Sequence, residues 1–113
     1  MSVFYKIQGY DLTNSSLTTV LSINTSSVAI IKEITVANDT GAQIEVNFFV
    51  RDYSSATSYK FYHTIVAANS TDNAVNNALV LEEGDSLKFQ SDTGDAISGQ
   101  ISYALINRIQ QNG

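Results

Sequence analysis

The stretch from Val28 to Val50, VAIIKEITVANDTGAQIEVNFFV, limits what this chain can become more than any other. It reads as two long β-strands joined by a tight turn at Asn38-Asp39-Thr40-Gly41, that is, as a central hairpin. In the second strand Ile44, Val46, Phe48 and Val50 share one parity, and Glu45, Asn47, Phe49 and Arg51 share the other. A period of two is what a strand with one buried face requires. In the first strand Val28, Ile30, Ile34 and Val36 form the apolar set, and Lys32 breaks it. The break predicts a bulge, or an edge open to a partner. Asn and Asp can bond their own backbone in the turn, and Gly can supply a positive φ.

The same alternation recurs on both sides of this stretch. Val3–Gln8 reads as an edge strand or an arm laid on another subunit. Leu17–Ile23 reads as a strand with Thr19, Leu21 and Ile23 on one face. Tyr59–Val66 carries aromatic or apolar groups on both parities, which predicts cover on both sides. Ala67–Asn77 is expected to be loop and Ala78–Leu81 a short buried strand. Glu82-Glu83-Gly84-Asp85 is expected to turn the chain, with Gly84 at the strained position. Leu87 and Phe89 should point inward from the next strand. Ile97–Ile106 should be the last, with Ile101, Tyr103 and Leu105 in the core. No window has a 3.6-residue period, and β-branched residues dominate the apolar set. The fold class that follows is all-β: residues 1–113 as a single β-sandwich of about eight antiparallel strands, either jelly-roll or Ig-like Greek key. Residues 1–16 would hold an N-terminal arm or edge strand, and residues 108–113 a polar tail.

Composition narrows the function classes. Of the 113 residues 43% are hydrophobic, enough for one modest core, and only 15% are charged. Ser, Thr and Asn carry the polarity instead, and such groups cost less to bury in an interface than Lys or Glu. The net charge is −5, with six Lys and Arg scattered along the chain. Direct nucleic-acid binding and an anionic membrane surface are therefore not expected. The absence of Cys removes disulfides, thiol catalysis and thiolate metal sites. The first residues lack the cationic start and apolar run of a secretion signal. No apolar stretch approaches the roughly eighteen residues of a membrane span. Synthesis in the cytoplasm, with any release by lysis, is expected. The chain has no Pro with which to blunt sheet edges, a problem that oligomerisation would solve.

Candidate chemistry is sparse. His63 is the one histidine and lies mid-strand among aromatics, so packing or an interface explains it better than a triad. Asp92-Thr93-Gly94-Asp95 lacks the spacing of a calcium loop and reads as a turn. Glu82 and Glu83 read as the start of a turn rather than an acid–base pair. Four Asn-x-Ser/Thr sequons begin at Asn14, Asn24, Asn38 and Asn69, and chance accounts for them in a chain this rich in Asn, Ser and Thr. No cofactor, metal site or catalytic residue is expected. Tyr53, Tyr59 and Tyr62, with Phe49, are expected to cluster near the loop after the central stretch, where rigid rings suit protein contact or sugar stacking.

The segments AIIKEITVANDTG, AANSTDN, LVLEEGDSLKF and ISYALI together resemble small structural proteins of tailed bacteriophages, marine and cyanobacterial phages among them. The resemblance covers about Ala29 to Leu105 and rests on turn and core positions. It leaves Met1–Ser16 outside. It implies a virion structural protein without enzymatic activity, most of all a capsid decoration or cement protein that stabilises the shell by protein–protein contacts. Its partners would be the major capsid protein or other virion proteins, and it would be a homo-oligomer. The interface residues expected are Phe4, Tyr5, Phe49, Tyr53, Tyr59 and Tyr62. A tail, neck or fibre-associated position is the alternative on the particle. Outside the virion the rivals are a carbohydrate-binding module or adhesin with the tyrosines as its platform, and a jelly-roll enzyme around His63.

Overall fold

The structure, a computed structural model, describes residues 2–75 and 78–107. Nine strands follow one another: β1 (Ser2–Leu12), β2 (Thr18–Ser22), β3 (Ser27–Asn38), β4 (Ile44–Asp52), β5 (Thr57–Val66), β6 (Thr71–Asn73), β7 (Leu79–Leu81), β8 (Ser86–Ser91) and β9 (Ile97–Asn107). They form two antiparallel sheets. One has the order β1-β9-β3, with β6 and β7 both on the far side of β3. The other has the order β2-β8-β4-β5. The expected tail, residues 108–113, lies outside the described residues. No helix of the described residues is long and apolar enough to cross a membrane.

The pairings nest. β1 pairs with β9, β2 with β8, β3 with β6 and β7, and β4 with β5. A chain laid out this way is one long hairpin. The additional ladders β3·β9 and β4·β8 roll it into two sheets. That is the jelly-roll arrangement rather than the Ig-like one. Between the sheets lies the core, in which Leu12, Ile31, Ile34, Val36, Val46, Phe48, Leu81, Leu87, Phe89, Ile97 and Ile101 are fully buried. Phe48 sits at its centre, 4.7 Å from Phe89 ring to ring in an edge-on contact, and 5.6 Å from Tyr62. Such aromatic pairs add about 0.5–1.5 kcal/mol to the area they bury.

The expected central hairpin is not a hairpin. β3 and β4 belong to different sheets, and the turn between them is a corner. Asn38 holds that corner. It is buried, and its amide donates to the carbonyls of Ala42, Val66 and Ala67 at 2.8, 3.0 and 3.2 Å. Its own carbonyl oxygen accepts the Thr40 N–H at 2.9 Å. The turn chemistry was legible, but alternation does not record which strand lies alongside.

The bulge expected at Lys32 is present. The β3·β9 register shifts between Ile31 and Glu33. Because side chains alternate, one extra residue exchanges the faces. Ser27, Ala29 and Ile31 are buried before the bulge, and Ile34, Val36 and Asn38 after it. Val28 and Ile30, expected in the inward set, therefore lie on the opposite face. A second bulge between Thr19 and Leu21 likewise leaves Thr19 exposed while Leu21 and Ile23 are buried.

Three other expectations change. β5 is an edge strand, exposed at Tyr59, Lys60, His63 and Ile65, and not covered on both sides. The loop expected at Ala67–Asn77 contains β6. In β7 only Leu81 is fully buried, while Val80 is 55% exposed. Gly84 does take a positive φ, +82°. An ideal Cβ there would lie 2.5 Å from Cγ of Tyr53, so the turn needs glycine for space as well as for conformation.

Candidate functional site

Residues opposite one another in a ladder share a face of the sheet. In the five-stranded sheet the register therefore assembles an outer row of Val3, Ile106 and Val28. A second row holds Tyr5, Ala104, Ile30 and Val80. Ile7 follows, beside Ser102. Tyr5 is 84% exposed, Ile7 67%, and Val3 49%. Val28, Ile30 and Ile106 are half-buried. Among the described residues the face is uncharged until the bulge at Lys32 and Glu33. It then turns polar through Gln100, Thr35, Ser98 and Asp11. A contiguous apolar area of this kind on an outer sheet face marks a contact surface. Its sequence signal is apolarity at both parities in Val28–Ile31 and Tyr103–Ile106, joined by Val3, Tyr5 and Ile7 at one parity of β1. In β3 and β9 one parity packs on the core, and among the described residues nothing covers the other.

Of the residues expected at an interface, Phe4 and Tyr5 lie here but on opposite faces of β1. Phe4 lies opposite Leu105 on the inward side and is 49% exposed at the end of the sandwich. The aromatics of the other sheet do not gather into one platform. Phe49 lies on its outer face with Lys60 and Lys88 as its two ladder neighbours, and the Lys60 ammonium is 5.9 Å from the ring centroid. Tyr62 points the other way, against Phe48. Tyr53 lies at the β4–β5 turn beside Gly84 and is 55% exposed. Tyr59, opposite Val50 on the edge strand, is 52% exposed.

The remaining candidates lie apart from one another. His63 Nε2 lies 2.6 Å from Glu45 Oε2 on the exposed outer face of the four-stranded sheet. The Asp85 carboxylate is buried and accepts the N–H groups of Tyr53 and Glu82, at 3.0 and 2.9 Å, which ties two turns at one end of the sandwich. Asp95 takes φ +58° in the β8–β9 turn, and its N–H donates to the Leu12 carbonyl. Among the described residues no group of three or more His, Cys, Asp or Glu side chains is placed to hold a metal ion. Three of the sequons have a conformational cause rather than chance. The side-chain oxygens of Asn14, Asn24 and Asn38 each accept the N–H two residues on, at 2.8, 2.9 and 2.9 Å. Each is an Asx turn, in which Asn caps a short loop.

Titration is perturbed at few groups. Burial pushes the Tyr10 hydroxyl far above its ordinary value. Burial also raises Tyr103. A bond from the Ser54 hydroxyl holds the Asp52 carboxyl below its ordinary value. Tyr10 donates to the Thr35 carbonyl at 2.6 Å, so its hydroxyl is spent inside the sheet. An open cleft of about 330 Å³ lies between the edges of the two sheets, lined by Gln8, Thr19, Val20, Leu21, Ser22 and Tyr103.

No protein-family model matches this chain. No curated protein matches it either. Among solved structures 171 chains match, which marks a widely used fold rather than one role. A chain of the acid-stable capsid of Helicobacter pylori bacteriophage KHP30 has a TM-score of 0.56 at 4% identity, over 94% of this chain and 88% of that one. A chain of the disulfide-linked pili of Bacillus endospore appendages has a TM-score of 0.54 at 12% identity, over 96% of this chain and 90% of that one. A chain of the extra small virus of the giant freshwater prawn Macrobrachium rosenbergii has a TM-score of 0.51 at 8% identity, over 92% and 77%. At these identities the likeness is one of fold.

Proposed function

We propose that this chain is a structural protein of a phage virion, and on the particle a capsid decoration or cement protein. The observation that carries the reading is the uncharged apolar outer face of the five-stranded sheet. A decoration protein needs a rigid scaffold and a surface that excludes water against its neighbours. It needs no reacting groups. Chains of a phage capsid and of a prawn virus share the fold, and the motif resemblance to phage structural proteins points the same way. The face around Tyr5, Ile30 and Val80 would lie on the major capsid protein and bury apolar area across neighbouring capsomers. The protein would not contact DNA, in keeping with its net charge of −5.

No catalytic step belongs to this reading. His63 is engaged by a carboxylate, and His63→Ala is expected to leave particle binding unchanged. The sugar-platform rival is weakened by the inward direction of Tyr62. The test is the purified, DNA-filled particle. Mass spectrometry should detect the protein, and cryo-electron microscopy should find hundreds of copies in icosahedral register. Its absence from the particle refutes the virion reading. A few copies at one vertex would move it to the tail, neck or a fibre.

A further inference from the structure

The two sheets have four edges, and three of them are blunted. β2 is five residues long and carries a bulge. β6 and β7 are three residues each. β5 is interrupted opposite Phe48 and Phe49 and presents Lys60 and the His63–Glu45 pair. β1 is different. It runs for eleven residues without a register shift and, among the described residues, is paired on one side only. Along Val3–Gly9 every side chain is exposed. Such an edge recruits another strand indiscriminately unless a defined partner covers it.

We propose that the partner is a second copy of this chain, joined β1 to β1 in antiparallel fashion about a two-fold axis centred on Tyr5. A two-fold interface must be complementary to itself, and the segment SVFYKIQ is so in this register. On the outer face Val3 faces the partner's Ile7 and Tyr5 faces the partner's Tyr5. On the inner face Phe4 faces the partner's Lys6, ring against ammonium. Neighbouring registers fail. A centre at Lys6 sets two ammonium groups opposite each other. A centre at Ile7 sets Val3 against the partner's Asp11, and a centre at Phe4 separates Phe4 from the partner's Lys6 and so loses the ring–ammonium contact.

Val3, Phe4, Tyr5 and Ile7 expose 49, 49, 84 and 67% of their surface. With about 150–250 Å² for a whole aromatic side chain, that is a ceiling of roughly 500 Å² per copy. Edge pairing covers only the side of each residue that faces the partner strand, so the main-chain hydrogen bonds of the new ladder carry much of the association. The pairing also sets the two outer apolar faces side by side as one surface across both copies.

This inference concerns the free protein and does not rest on the virion reading. The native chain has no Cys, so single cysteines report cleanly. Opposed residues in an antiparallel ladder have Cα atoms about 4.5–5.5 Å apart, within disulfide reach. Under mild oxidation Tyr5→Cys is expected to give a disulfide-linked dimer, and Ile7→Cys alone is not. A mixture of Val3→Cys and Ile7→Cys chains should cross-link to each other. In sedimentation the wild type is expected to be dimeric. Ile7→Lys, at an exposed position that leaves the fold intact, should weaken dimerisation by roughly tenfold or more, because it buries a charge against the partner's Val3. A wild type that sediments as a monomer overturns the proposal. So does cross-linking through Tyr59→Cys on β5 with none through Tyr5→Cys.

Discussion

Replacing Gly99 by Ala should be among the most damaging single-methyl changes available in this protein. Gly99 lies in β9 opposite Tyr10 of β1. The Tyr10 hydroxyl reaches the Thr35 carbonyl of β3 at 2.6 Å. A Cβ at position 99 would lie 1.9 Å from that carbonyl oxygen, 2.8 Å from its carbon and 2.9 Å from the Tyr10 hydroxyl. Two of these atoms are backbone in a fully paired central strand, so no side-chain rotation relieves the overlap. Overpacking of this kind costs about 1–3 kcal/mol. Displacing the hydroxyl from its acceptor while both stay buried costs about 1–3 more. The sum, roughly 2–5 kcal/mol, is a large part of the 5–15 kcal/mol that holds a domain together. Urea unfolding followed by circular dichroism is the assay, and with an m-value of about 2 kcal/mol/M the midpoint should fall by roughly 1–2.5 M. Tyr10→Phe removes the bond without adding an atom and should show the hydrogen-bond part alone. Gly9→Ala is the control: its nearest new neighbour is 4.0 Å away, and it should stay within about 0.5 kcal/mol of wild type. A Gly99→Ala protein as stable as Gly9→Ala would refute the reasoning.

Asn38→Ala should cost about 2–4 kcal/mol, since three carbonyls at the corner lose their donor and the Asx turn loses its cap; thermal unfolding would register it as a large fall in Tm. Phe48→Ala should cost about 3–5 kcal/mol in the same assay, because the side chain is fully buried and meets three other rings. At alkaline pH the sign is set by Tyr10. Its folded pKa lies above the unfolded value of about 10, so its contribution is complete below that pH and is lost as the pH rises past it. A spectrophotometric phenolate titration should therefore show Tyr10 ionising only as the protein unfolds, whereas reversible titration of all six tyrosines near pH 10 would contradict its burial.

Position and facing of most strands could be read from the chain, because side chains alternate strictly and water sorts the two faces. Ile44, Val46 and Phe48, then Leu87 and Phe89, then Ile101 and Tyr103 are buried as their spacing requires. Turns were legible for a similarly local reason: Asx geometry at Asn24 and Asn38, and positive φ at Gly84, depend on a few adjacent residues. The bulge at Lys32 was visible as a break in the pattern. Its consequence was not, because the exchange of Val28 and Ile30 to the outer face depends on which residue of β9 lies opposite. Pairing itself is a matter of long-range contact. Alternation is the same for a strand that continues a hairpin and one that crosses to another sheet, so the corner at Asn38 read as a hairpin. The edge position of β5 was hidden in the same way. The outer apolar face draws on β1, β3, β7 and β9, which are remote in sequence, and becomes one surface only when the ladders bring them together. The need for glycine at 99 likewise comes from a carbonyl 64 residues away along the chain. Local periodicity and turn chemistry belong to the sequence alone. Partners, edges and shared surfaces belong to the tertiary structure, because they depend on contacts between distant segments.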